Sequence, residues 1–145
     1  MSFVVAIDGP AGSGKGTITK IVGKKMNLVN IDTGAMYRCV SLYMLKNNIN
    51  FDDIEKIEEM LSKINIEFKN EANEEKVFLN GEDVTKKIRE KEVNEIVSQV
   101  SHIPVIRANM SSLQRQMGLK TDVIMEGRDI GTNVFPDADV KIYFL

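Results

Sequence analysis

The stretch GPAGSGKGT, residues 9 to 17, constrains the fold more than any other feature of the chain, because it closes the apolar run FVVAI at residues 3 to 7. A short run rich in β-branched residues and ended by glycines is the pattern of a strand buried on both faces of a parallel sheet. Beyond the glycines, Ile18, Ile21, Val22 and Met26 recur at helical spacing, so the segment reads strand, loop, helix. Glycines at 9, 12, 14 and 16 let backbone N–H groups close on an anion, and the following helix points its positive end at the same place. Lys15 adds a mobile positive charge for the β and γ phosphates of a nucleotide. The whole segment, Gly9, Pro10, Ala11, Gly12, Ser13, Gly14, Lys15, Gly16 and Thr17, is therefore expected to hold a triphosphate.

One letter departs from the phosphate-cradling pattern G-x-x-x-x-G-K-[ST]. Lys15 is followed by Gly16, and the hydroxyl arrives one residue late, at Thr17. In many such loops that hydroxyl ligates Mg²⁺, which Gly16 cannot do. Magnesium keeps several waters and binds substrate phosphates, so a site can work without this ligand. Thr17 and the acidic Glu126, which follows VIM, are the expected outer-shell contacts through water. Asp32, ending another strand, is the alternative acid, and either carboxylate could simply cap the helix or turn behind it.

Strand and helix alternate further along. Leu28 to Ile31 reads as a strand, and AMYRCVSLYMLKNN as a helix with Met36, Val40, Tyr43 and Met44 on one face. Ile54, Ile57, Leu61 and Ile64 mark an amphipathic helix between Phe51 and Ile64. The period then drops to two in INIEFK. The charged stretch Asn70 to Lys76 is expected as an exposed loop, and Asn80-Gly81 within VFLNGEDVT as a turn, with a hairpin as one reading. Ile88 to Ile103 is helical by period, with Val93, Ile96, Val97 and Val100. Pro104 either breaks that helix or opens the next, which reaches Met117. TDVIM and ADVKIYFL supply two more strands. Cys39 and the methionines are expected in the core, and the lone His102 at a helix end.

At 145 residues and 43% hydrophobic content, one domain with a real core is expected. A net charge of -2 offers no general basic field for nucleic acid, and no apolar run reaches membrane-spanning length. A single cysteine and no signal-peptide pattern at the start make the cytoplasm the expected compartment.

Two arginines stand just beyond strand ends: Arg38 in DTGAMYR and Arg128 in EGRDIG. A helix start plus a guanidinium makes an anion site, and ligands of parallel sheets bind beyond the carboxyl ends of the strands. With GPAGSGKGT, LNGEDVT, EVNEIVSQVSHIPVIR and EGRDIGTNVFPDADVKIYFL in this order and spacing, residues 3 to 145 resemble the bacterial-type cytidylate kinases, a branch of the nucleoside monophosphate kinases.

The resemblance implies a three-layer α/β/α P-loop kinase fold with a central parallel sheet. It implies a single domain over 1 to 145 with an inserted, β-containing acceptor-binding segment at about 35 to 118. It also implies ATP as donor with Mg²⁺, CMP and dCMP as acceptors, no nucleic acid or membrane partner, and a monomer when intact. Lys15, Arg38 and Arg128 would be catalytic. Asp32, Thr33, Arg38, Ser98, Arg107, Arg128 and Asp129 would bind CMP, with Ser98, Arg107 and Asp129 reading the cytosine. A carboxylate for the N4 amine and a guanidinium for the acceptors at N3 and O2 suit that base.

The family continues past the point where this sequence stops, with a lid that carries arginines, so the chain is expected to be an incomplete member and a poor catalyst alone. Other small-molecule P-loop kinases and a non-catalytic nucleotide-binding module are the competing readings. A GTPase-like switch is a third reading, which the absence of N-K-x-D and the glycine at 16 in place of a hydroxyl speak against.

Overall fold

A computed structural model describes residues 2–10, 12–72, 74–127 and 130–145. Its residues form two compact units, Met1–Thr33 with Ser111–Leu145, and Gly34–Met110.

The first unit is built on a parallel sheet. β1 (Val4–Asp8) is buried along its whole length between β6 (Val123–Gly127) and β7 (Val140–Tyr143), while β2 (Val29–Ile31) pairs with β6. The strand order is β2-β6-β1-β7, with Ile7 opposite Glu126 and Asp8 opposite Gly127. All four strands run the same way, so their carboxyl ends share one edge. Val5, Ile7, Leu28 and Ile124 form the core, flanked by Phe3, Val22, Ile142 and Phe144. The expected α/β architecture with a central parallel sheet is thus observed.

α1 (Lys15–Met26) meets this sheet differently from its apolar pattern. Ile18, Ile21 and Met26 are exposed, and the buried positions are Thr19 and Gly23. Small residues face the strands because the approach is close: a Cβ on Gly23 would lie 3.2 Å from Ile124 Cγ2. Met26 is accordingly not a core methionine, unlike Met36, Met44, Met60, Met110 and Met125.

The second unit begins in α2, which spans Thr33–Lys46 and so starts two residues before the predicted Ala35. Its Cys39 is buried. α3 (Ile54–Lys63) is shorter than the predicted Phe51 to Ile64 because the Asp53 side chain caps it, accepting from Lys56 N at 3.2 Å. Residues 70, 71 and 74 to 76 are a correction. β3 (Ile66–Glu71) and β4 (Glu74–Leu79) pair through them, with Lys69 opposite Lys76 and Glu71 opposite Glu74. Their polarity reports exposure, whereas the ladder satisfies backbone groups whatever the side chains. Asn80 and Gly81, at φ 50° and 84°, form the two-residue turn into β5 (Glu82–Asp83).

The predicted helix from Ile88 to Ile103 is two pieces: a 3₁₀ turn at Lys87–Arg89 and α4 (Lys91–Ser101). Extended backbone at Glu90 separates them. Pro104 opens α5 (Pro104–Lys120), where its missing N–H costs nothing.

Candidate functional site

The glycine loop lies at the carboxyl edge of the sheet, between β1 and α1. Gly9 N donates to Gly127 O at 3.2 Å, fixing the loop's start to the end of β6, and Ser13 N donates to Pro10 O at 3.3 Å. Gly12 and Gly14 hold φ of 76° and 88°, a region that side chains avoid. Gly14 is the N-cap of α1, and its carbonyl accepts Ile18 N at 3.2 Å, which leaves the preceding amides outside the helical ladder. Those amides and the helix dipole make an anion-binding turn. Lys15 Nζ donates to Pro10 O at 3.1 Å, so the ammonium folds back over the same loop. Thr17 is exposed at the start of the helix.

Glu126, near the end of β6, reaches under this turn. A Cβ built on Gly16 would stand 3.2 Å from Glu126 Oε2. That oxygen is buried with no hydrogen-bond partner among the described residues, and the same holds for Ser13 Oγ in the loop. A buried carboxylate oxygen in this condition is costly unless something polar meets it. No cluster of three or more acidic, histidine or cysteine ligands occurs among the described residues. A protein cage for a metal is thus not found among the described residues. A cation carried on nucleotide phosphates needs only one or two carboxylates, directly or through water, and Glu126 fits that requirement.

The second unit has its own polar constellation. Arg38, on α2, donates through one guanidinium nitrogen to Ile88 O at 3.1 Å and to Asn94 Oδ1 on α4. Asn94 in turn donates to Arg89 O at 3.4 Å. Ser98 is one turn beyond Asn94 on α4, so the two share a helix face. Arg107, exposed near the start of α5, donates to the phenol oxygen of Tyr37 on α2. Burial pushes the Tyr37 phenol above its ordinary range, and the Arg107 charge and hydrogen bond pull it partly back. His102 ends α4, its Nδ1–H donating to Ser98 O at 2.6 Å.

Of the predicted site residues, Gly9, Pro10, Gly12, Ser13, Gly14, Lys15, Gly16 and Thr17 form one loop and helix start, with Glu126 against it. Asp32 and Thr33 stand at the junction of β2 and α2 in the same unit. Arg38, Ser98 and Arg107 belong to the second unit. Ala11, Arg128 and Asp129 lie outside the described residues.

Sequence reasoning passed over Asp8, Tyr37 and Asn94. Asp8 is 2% exposed, and its two oxygens accept the N–H groups of Ile130 and Gly131 at 2.6 and 2.9 Å. A carboxyl group ending an apolar strand was its only sequence signal. Tyr37 and Asn94 carried none, because their roles come from pairing across helices distant in sequence.

Comparison with known proteins gives the family of the chain. The sequence matches the cytidylate kinase family over residues 5–145. It is 53% identical over 144 residues to a cytidylate kinase of Fusobacterium nucleatum, covering 99% of this chain and 64% of that protein. It is 50% identical over 141 residues to a cytidylate kinase of Lactobacillus gasseri, covering 97% and 61%. A bifunctional pantoate ligase/cytidylate kinase of Prochlorococcus marinus is 46% identical over 143 residues, covering 98% of this chain and 28% of that protein. The chain thus spans 64% and 61% of the two single-function relatives. With a glycine loop on a parallel sheet and a family match over almost its whole length, the chain belongs to the cytidylate kinase family of nucleoside monophosphate kinases.

Proposed function

We propose that this chain carries the donor and acceptor sites of an enzyme that moves the γ-phosphoryl group of ATP to CMP or dCMP. In the reaction a phosphate oxygen of the acceptor bonds to the γ-phosphorus, the bond to the β–γ bridging oxygen breaks, and ADP leaves. Phosphoryl transfer asks little covalent chemistry of the protein; alignment and charge neutralisation do most of the work.

The observation that carries the reading is Arg38, a guanidinium anchored on Ile88 O and Asn94, in a chain that also has the glycine loop. One nitrogen of the fork is held by protein acceptors, which fixes the plane it presents to a phosphate. The loop amides and Lys15 bind the donor's phosphates. Arg38 and Arg128 hold the acceptor phosphate, with Asp32 and Thr33 beside a second helix start. Ser98, Arg107 and Asp129 read the cytosine, and Tyr37 restrains Arg107. Glu126 and Thr17 would hold Mg²⁺ through water, where it would supply charge neutralisation for the nucleotide phosphates. The second unit, Gly34–Met110, is the acceptor-binding insertion. We place the enzyme in the cytoplasm as a monomer without nucleic-acid partners; no helix among the described residues is long and apolar enough to cross a membrane.

Calorimetric titration with CMP and with UMP tests the reading. CMP binding at least about tenfold tighter is expected, since a site built on buried hydrogen bonds rejects a base with an acceptor in place of the amine. Equal affinities, or none for either nucleotide in a folded protein, would overturn it.

A further inference from the structure

The missing hydroxyl after Lys15 and the orphaned carboxylate of Glu126 are two sides of one arrangement. We infer that Gly16 and Glu126 form an exchange pair, in which the carboxylate fills the space beside the loop that a residue-16 side chain would take. Glu126 then supplies the polar contact toward nucleotide-bound magnesium that a serine or threonine at 16 supplies in other loops. The inference rests on the donor-site reading above and adds a dependence between two residues that are 110 positions apart in the chain, 126 minus 16.

Three observations carry it. A Cβ on Gly16 would stand 3.2 Å from Glu126 Oε2, and the two next nearest atoms outside its own helix backbone also belong to that carboxylate, Cδ and Oε1, both at 3.9 Å. Glu126 Oε2 is buried and has no hydrogen-bond partner among the described residues, so the oxygen nearest the loop is the one still to be satisfied. Gly16 is in the first turn of α1 and lacks the positive φ of Gly12 and Gly14, so backbone conformation does not demand a glycine there. What a side chain at 16 meets first is the carboxylate, which must give by a few tenths of an ångström to admit a Cβ.

A serine at 16 would push its Cβ toward Oε2 and offer its hydroxyl to the carboxylate, tying up both groups. A serine at 16 with the carboxylate removed would have the room, and would restore the hydroxyl to its usual place after the lysine.

The test is ADP binding by calorimetry, with excess Mg²⁺ and with a chelator, which reads the metal's advantage as a ratio of affinities and needs no turnover. Glu126→Gln keeps size and shape, and Glu126→Ala opens the space; each should reduce the Mg²⁺ advantage about tenfold, the scale of one charge-assisted contact. Gly16→Ser alone should reduce it similarly. The double variant Gly16→Ser/Glu126→Ala should recover most of it relative to Glu126→Ala. Wild-type advantage in Glu126→Gln, or a double variant no better than Glu126→Ala, overturns the exchange while leaving the donor site standing. Failure of folded wild-type protein to bind ADP at all overturns the donor site and the pair with it. Circular dichroism on each variant identifies any loss that comes from misfolding, and the isosteric Glu126→Gln keeps the question decidable if a Gly16 variant does not fold.

Discussion

Asp8 and Ile130 are joined at 2.6 Å, the side-chain oxygen of one accepting the backbone N–H of the other, in a part of the first unit where Asp8 is 2% exposed. The second Asp8 oxygen takes Gly131 N at 2.9 Å, so one carboxyl group ties the end of β1 to the π turn Ile130–Val134. The strand that launches the phosphate loop and the turn that follows β6 are thereby held to one another.

Asp8→Asn should destabilise the protein by about 2 kcal/mol, because an amide presents an N–H where one of the two backbone donors needs an acceptor. Urea unfolding, read as a midpoint shift at constant slope, measures this. A change below a few tenths of a kcal/mol would show that these hydrogen bonds contribute nothing net.

Gly118 on α5 faces the ring of Phe135, and a Cβ there would come within 2.5 Å of Cε1. Phe135 is 8% exposed, so its ring has little freedom to yield. Gly118→Ala should cost roughly 1 to 3 kcal/mol by overpacking, despite alanine's better helix propensity. Adding Phe135→Leu should recover part of the loss, and thermal unfolding of the single and double variants gives the coupling.

Arg38→Ala should weaken CMP binding about tenfold or more and leave cytidine binding nearly unchanged, since the guanidinium is assigned to the phosphate. Asn94→Ala should give a smaller loss in the same direction, because Ile88 O still holds Arg38. Calorimetry with the two ligands separates phosphate recognition from base recognition.

Tyr37 should ionise above 10.0, as burial outweighs the opposing effects of Arg107. A folded phenol that keeps its proton longer than the unfolded one makes stability fall as pH rises through the unfolded value toward the folded one. Arg107→Ala should move the Tyr37 ionisation further up, because both effects that lower it disappear. Tyrosinate absorbance, with Tyr37→Phe subtracted to isolate one of the three tyrosines, reads the shift.

Much of the architecture was legible in local order. FVVAI followed by glycines announced β1, the loop and α1, and the two-residue turn at Asn80-Gly81 announced the hairpin. Local pattern failed where backbone pairing overrode side-chain character: residues 70, 71 and 74 to 76 look like a solvated loop yet belong to the β3–β4 ladder. It also failed on α1, whose apolar residues Ile18, Ile21 and Met26 face solvent while Gly23 packs on Ile124. Periodicity reports which residues share a face, but the closeness of helix to strand selects the face that is small enough to fit.

The sequence by itself determined the glycine loop between strand and helix, the alternation of strand and helix and the family, because these depend on residues adjacent along the chain. Only the tertiary structure decided that Glu126 stands beside Gly16, that Asp8 holds Ile130 and Gly131, and that Asn94 and Tyr37 restrain Arg38 and Arg107. Each of these joins groups far apart in sequence. Their distance is set by strand order and helix packing, which no local spacing encodes.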